Sequence, residues 1–208
     1  EMVHISSGYV ALTQEDYRLD HLHPPLWRMF LALPLLFDDD IVVDKAGKGW
    51  REDSYWFWCQ HFFFDDNDGE RLLFSARLIN LFSAIALGWF LFFWFTHLFN
   101  WQLGALLLGL FALEPTMMAH ARLATTDVGG TWFFVLVLFF AQRFCLYRSS
   151  WSLGGLALSL ALALTVKLSI LAIVPALLVV LCWRIYRSET WQGGFGADLL
   201  RRGLLGKL

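Results

Sequence analysis

Apolar residues fall in long blocks along the chain, broken by short polar interruptions. Residues 78–99 are nearly uncharged and long enough to cross a bilayer at about 1.5 Å of rise per residue. Asn100-Trp101 reads as a tight turn, residues 103–118 return, and the polar stretch 120–127 closes that hairpin. Residues 128–147 cross again. Two shorter runs, 153–166 and 168–183, follow on either side of Lys167. The pattern predicts a bundle of about five transmembrane helices within residues 74–187, with 188–208 as a cytoplasmic loop or the start of a further helix.

The first third reads differently. Residues 1–25 are polar and irregular, and end in His23-Pro24-Pro25, where paired prolines hold the backbone extended. Residues 26–37 form an apolar run of about a dozen, too short to span, which predicts a helix lying in the interface. The triplet Asp38-Asp39-Asp40 ends it. Residues 41–73 predict a mixed loop, with Trp50, Tyr55, Trp56 and Trp58 among charges at headgroup level. The acidic run 65–70 suggests calcium, but it lacks the spacing of an EF-hand loop, so a solvated turn is the better reading. The fold class is therefore an all-α integral membrane protein: a multi-pass bundle with a long extracytoplasmic first loop, residues 1–73, containing an interfacial helix.

Composition supports lipid as the solvent. Only 16% of residues are charged, against about 25% in a soluble domain. The 20 Phe and 11 Trp suit a bilayer core with interfacial belts. A net charge of −2 and scattered Lys and Arg argue against a nucleic-acid partner. Cys59, Cys145 and Cys182 show no paired spacing, so neither a disulfide framework nor a zinc motif is expected. The chain opens inside a polar loop, and the expectation is a fragment that has lost helices at both ends.

Alternation of the spans puts Arg143, Arg148, Arg184 and Arg187 on one side, which positive charge marks as cytoplasmic. The first loop, the 120–127 turn and Lys167 then share the extracytoplasmic face of a plasma membrane, with Arg71 and Arg77. Ionisable groups at membrane depth cost roughly 2.5–3.5 kcal/mol, so they tend to be paired or functional; at helix ends snorkelling reduces that cost. Lys167 interrupts an apolar stretch, so it either ends a helix or meets an anion such as a phosphate. Asp127 after Thr125-Thr126 reads first as the N-cap of the next helix, a position that also favours anions. His21 and His23 with Asp20 and Asp16 resemble a metal set, but the rigid proline loop speaks against it, and no divalent metal is expected. Glu1 and His4 are three apart and would share a helical face, where a carboxylate beside an imidazole could serve as a base.

Glu1-Met2-Val3-His4-Ile5, Gly8-Tyr9, Asp16-Tyr17-Arg18-Leu19 and His23-Pro24-Pro25-Leu26 together resemble the first external loop of GT-C glycosyltransferases. The closest likeness is to the protein O-mannosyltransferase and aminoarabinose-transferase branch. Ala119-His120-Ala121-Arg122 with Thr125-Thr126-Asp127 resembles that family's turn between two membrane helices, and Lys167-Leu168-Ser169 with Pro175 its lysine segment. The resemblance implies an inverting enzyme that takes a sugar from a polyprenyl-phosphate carrier at the outer face and passes it to a glycan, lipid or protein acceptor, with no other cofactor. It makes Glu1 the catalytic base or acceptor-orienting carboxylate. Lys167 would contact the carrier phosphate, with Arg77 and Arg122 as further cations, and His4, His23 and Asp127 complete the substrate-binding set. Leu22 stands where the family has a glutamate, and the aspartate that usually precedes Glu1 would lie before this sequence. The rival readings are a transporter, which predicts polar groups deep in the helices beyond Asn80, Ser83 and Ser159, and a non-catalytic membrane scaffold.

Overall fold

The computed structural model describes residues 1–46, 49–50, 54–147 and 149–186, so Arg148, Arg187 and the segment 188–208 lie outside the described residues. All regular structure among the described residues is helical.

The opening segment is not irregular. Residues Met2–Gln14 form α1. Three of its hydroxyls bond inside the helix: those of Ser6, Ser7 and Thr13 donate to the carbonyls of Met2, Val3 and Tyr9, each four residues back. That leaves Ile5 and Val10 free to be fully buried. Residues Pro25–Ala32 form α2, with proline at the first turn, where a missing N–H costs little, and a 3-10 turn Leu33–Phe37 extends it. This is the short apolar element expected, and it packs closely on α1. A Cβ at Gly8 would stand 2.1 Å from the Arg28 carbonyl oxygen.

Part of the expected loop 41–73 is also helical. Residues Tyr55–Phe64 form α3, whose Trp58, Cys59, Phe62 and Phe63 are buried; aromatics that suit a headgroup belt here build a core under α1. The acidic run is structural. Asn67 bonds the backbone of Val42 through both its amide groups and donates to the Phe62 carbonyl, and Asp68 caps the next helix by accepting from Arg71 N.

That helix is α4, Gly69–Leu98. It and α7, Asp127–Tyr147, are each long and apolar enough to cross a membrane. Between them α5, Trp101–Leu113, and α6, Pro115–Ala121, are bent by 65° and together make a third candidate span. The break comes at Pro115, with Glu114 capping the new helix at Met117 N. The last two runs become shorter apolar helices, α8, Ser150–Val166, and α9, Ile173–Tyr186, with a 3-10 turn Leu168–Ala172 between them. Arg184 Nε donates to the Cys145 carbonyl at 2.8 Å, so α7 and α9 end together, at the opposite end of α7 from Lys167. Three polar residues within the apolar helices bond inside the protein: Ser83 Oγ to Ile79 O, Ser159 Oγ to Leu156 O, and Asn80 to the 120–127 turn.

Two apolar clusters result. One joins α1, α2, α3, α4 and the start of α7; the other joins α7, α8 and α9. Trp27 of α2 is 5% exposed and lies flat over Gly129, where a Cβ would meet the indole at 2.1 Å. Overpacking of this kind costs about 1–3 kcal/mol. Gly129→Ala is expected to lower the thermal unfolding midpoint in detergent, whereas Gly154→Ala, with nothing within 4 Å of the added carbon, leaves it unchanged or slightly raised.

Candidate active site

The polar groups converge on the turn between α6 and α7. Asn80, on α4, is 0% exposed. Its amide nitrogen donates to the carbonyls of His120 at 3.0 Å and Leu123 at 2.8 Å, and its oxygen accepts from Trp27 Nε1 at 3.3 Å. A buried amide whose donors and acceptor are all engaged stabilises the turn it holds; an unpaired one would cost about 1–3 kcal/mol.

Glu1 grips the same turn from its rim. Arg77 donates through Nε to Oε1 at 2.8 Å and through Nη2 to Oε2 at 2.6 Å, and Ala124 N donates to Oε1 at 2.8 Å. The two-pronged arginine and the backbone donor are charge-assisted bonds. The bonds from Arg77 hold the Glu1 carboxyl below the ordinary 4.5, against an opposing push from burial.

Asp127 ends the same turn, three residues after the Ala124 N–H that Glu1 binds. It is the first residue of α7 rather than its cap, and its carboxylate reaches sideways. Oδ1 accepts from Lys167 Nζ at 2.6 Å, and Oδ2 lies 3.1 Å from His120 Nδ1. Lys167 closes α8 with extended backbone angles, φ −155° and ψ 117°, and its stem passes over Gly130, 3.2 Å from where a Cβ would be. The pair sits at the head of an open cleft of about 680 Å³, lined by Glu114, His120, Asp127, Phe134, Lys167 and Ile173 among others. That volume falls in the range of small-molecule sites, and its lining is ionic at one end and apolar along α7 and α9.

Glu1 with Arg77, and Asp127 with Lys167, thus share one turn, as the alternation of spans requires. Arg122 does not join them. It is exposed and borders a separate apolar groove of about 440 Å³ with Leu81, Trp89, Leu108 and Phe111. His4 and His23 gather instead on buried Asp20. The metal set considered from sequence is not assembled, since Asp16 pairs with Arg18 at 2.7 Å and His21 packs edge-on against Tyr55. Sequence reasoning did not place His120 or Asn80 in the site. His120 stood in the quoted turn motif, and Asn80 was visible only as a polar residue inside a span.

The family model described as dolichyl-phosphate-mannose-protein mannosyltransferase matches residues 57–195, two-thirds of the chain. The chain belongs to that family. Membership makes it a membrane glycosyltransferase of the mannosyltransferase type. The matched region contains Arg77, Asn80, His120, Asp127 and Lys167, whereas Glu1, His4 and His23 precede it. No match was found among curated proteins or among solved structures.

The depressed pKa of Glu1 sets the sign of its acid response. The folded value lies below the unfolded one near 4.5, so its stabilisation is complete above pH 4.5 and is lost as the pH falls through the folded value. Half-exposed Arg77 screens the pair, which limits it to about 1 kcal/mol. Glu1→Gln is therefore expected to lower the unfolding midpoint at pH 7, and the gap to the unaltered protein should close in a titration below pH 4.5.

Proposed function

We propose that this chain carries the site at which a sugar leaves a polyprenyl-phosphate donor for an acceptor hydroxyl, on the extracytoplasmic face of the plasma membrane. The observation that carries the reading is the Lys167–Asp127 pair, 2.6 Å apart, at the head of a cleft whose wall is mostly apolar along Phe134, Ile170, Ile173 and Ala176. The carrier phosphate binds Lys167, and the lipid tail runs along the apolar side of α7 and α9. The acceptor oxygen attacks the anomeric carbon while the bond from that carbon to the phosphate oxygen breaks, inverting the centre. The phosphate departs with the bonding electrons, and Lys167 stabilises its growing charge.

Asp127 aims the ammonium group into the cleft. Glu1 takes the acceptor side, on the other flank of the turn. Its depressed pKa makes it a weak base, which suits it to orient the acceptor hydroxyl and to receive the proton late, once the sugar carbon is already electron-poor. Arg77, expected as a phosphate ligand, instead holds Glu1 in position.

Loss of one preorganised charge of this kind costs about 10²–10³ in rate. In the full-length protein, with a radiolabelled polyprenyl-phosphate sugar, Lys167→Ala should slow transfer by that factor, and Lys167→Arg should recover part of it. Normal turnover by Lys167→Ala would sink the reading.

A further inference from the structure

Three side chains from two stretches of the chain meet away from the cleft. His4 comes from α1, Asp20 from a short 3-10 turn Arg18–Asp20, and His23 from the segment locked by Pro24 and Pro25. Their ligating atoms all lie within 4.8 Å of one another. We propose that His4, Asp20 and His23 bind one transition-metal ion of the zinc type, with one coordination position left open toward solvent.

The spacing fits. His23 Nδ1 stands 3.0 and 3.2 Å from the two Asp20 oxygens, and His4 Nδ1 stands 3.4 Å from Oδ2. Donors at about 2.0–2.1 Å from a tetrahedral zinc are roughly 3.3 Å apart. The imidazoles meet edge to face, with centroids 4.7 Å apart and planes at 88°, so both Nδ1 atoms turn toward the same carboxylate. His4 Nδ1 is shut off from solvent, and the Asp20 carboxylate stands near it at a long 3.4 Å, without hydrogen-bond geometry. A buried ring nitrogen so loosely held gains a closer partner from a metal ion seated between it and the carboxylate.

Arg28 decides which metal. It donates to the Asp20 carbonyl at 2.6 Å, and its Nη1 lies 3.4 Å from Oδ2. Part of the carboxylate charge is therefore already balanced. Magnesium and calcium rely on oxygen ligands and charge and gain little here, whereas two imidazoles retain affinity for zinc, cobalt or nickel. The Asp20 and His4 side chains are 1% and 15% exposed and that of His23 is 45% exposed, so the open position faces outward beside His23. Three protein ligands and a free fourth position is the pattern of zinc sites that take up water or an anion.

The site is independent of the transferase reading, and its test measures metal, not sugar. The full chain is purified in detergent without a histidine tag, stripped with chelator, and titrated with zinc by calorimetry and with cobalt by visible absorption. One equivalent should bind, with cobalt bands of a four-coordinate site and no competition from about tenfold more magnesium. His23→Ala and His4→Gln should each weaken binding by about tenfold or more, while His21→Ala binds as the parent does. Zinc should raise the unfolding midpoint of the parent but not of His23→Ala, with circular dichroism confirming equal helix in both. Absence of stoichiometric zinc in the parent, or equal affinity in His23→Ala, overturns the proposal; the latter assigns the metal to other histidines.

Discussion

A primary amide buried in the middle of an apolar helix has to find every one of its partners or pay several kcal/mol for lying there. Asn80 finds them in two directions. Its nitrogen reaches forward to the carbonyls of His120 and Leu123, and its oxygen takes the indole hydrogen of Trp27. One side chain thereby fixes the turn before α7 and the seat of α2 on α4. The same indole covers Gly129 at the start of α7, so a shift of α2 would disturb the turn and the helix it launches together. Glu1 and Asp127 attach on either side of that turn, and their relative placement depends on its being rigid.

The spans were readable because lipid imposes one rule on them, unbroken apolar length, and α4 and α7 obey it. Lys167 was readable for the converse reason: a charge inside an apolar stretch forces the chain to break, and the break appears where α8 ends. What escaped was decided by local competition or by distance. The hydroxyls of Ser6, Ser7 and Thr13 look like loop formers, yet each bonds back along α1. The aromatics of α3 look like a membrane belt until α1 is present to cover them. Pro115 lies within an apolar run whose length alone suggests a straight span, and the bend of 65° follows from it. Glu1 and Arg77 lie far apart in sequence, as do His4 and Asp20, and no periodicity encodes which carboxylate a cation will find. Asp127 shows the limit most clearly. Its position before an apolar helix suits a cap, but Lys167 offers it a full charge where the helix end offers only partial ones, and the carboxylate turns to the lysine.

Under the proposed reading, the Lys167–Asp127 pair also explains how the cleft holds a cation between encounters with substrate. An isolated ammonium group near the apolar wall would be strained by desolvation and would draw in water. Paired with Asp127, with His120 beside the second oxygen, it is held in place at a modest net cost, because both partners are about one-third exposed. An arriving phosphate then competes with a carboxylate for the same donor. The exchange swaps one anion for another, so its free energy is the difference between two ion pairs rather than the whole of either. Such a difference is small enough to be reversed when the sugar has gone and the carrier phosphate must leave. Under the proposed reading, a cation held without Asp127 would grip the spent carrier more tightly and release it more slowly, so the carboxylate serves turnover as much as orientation.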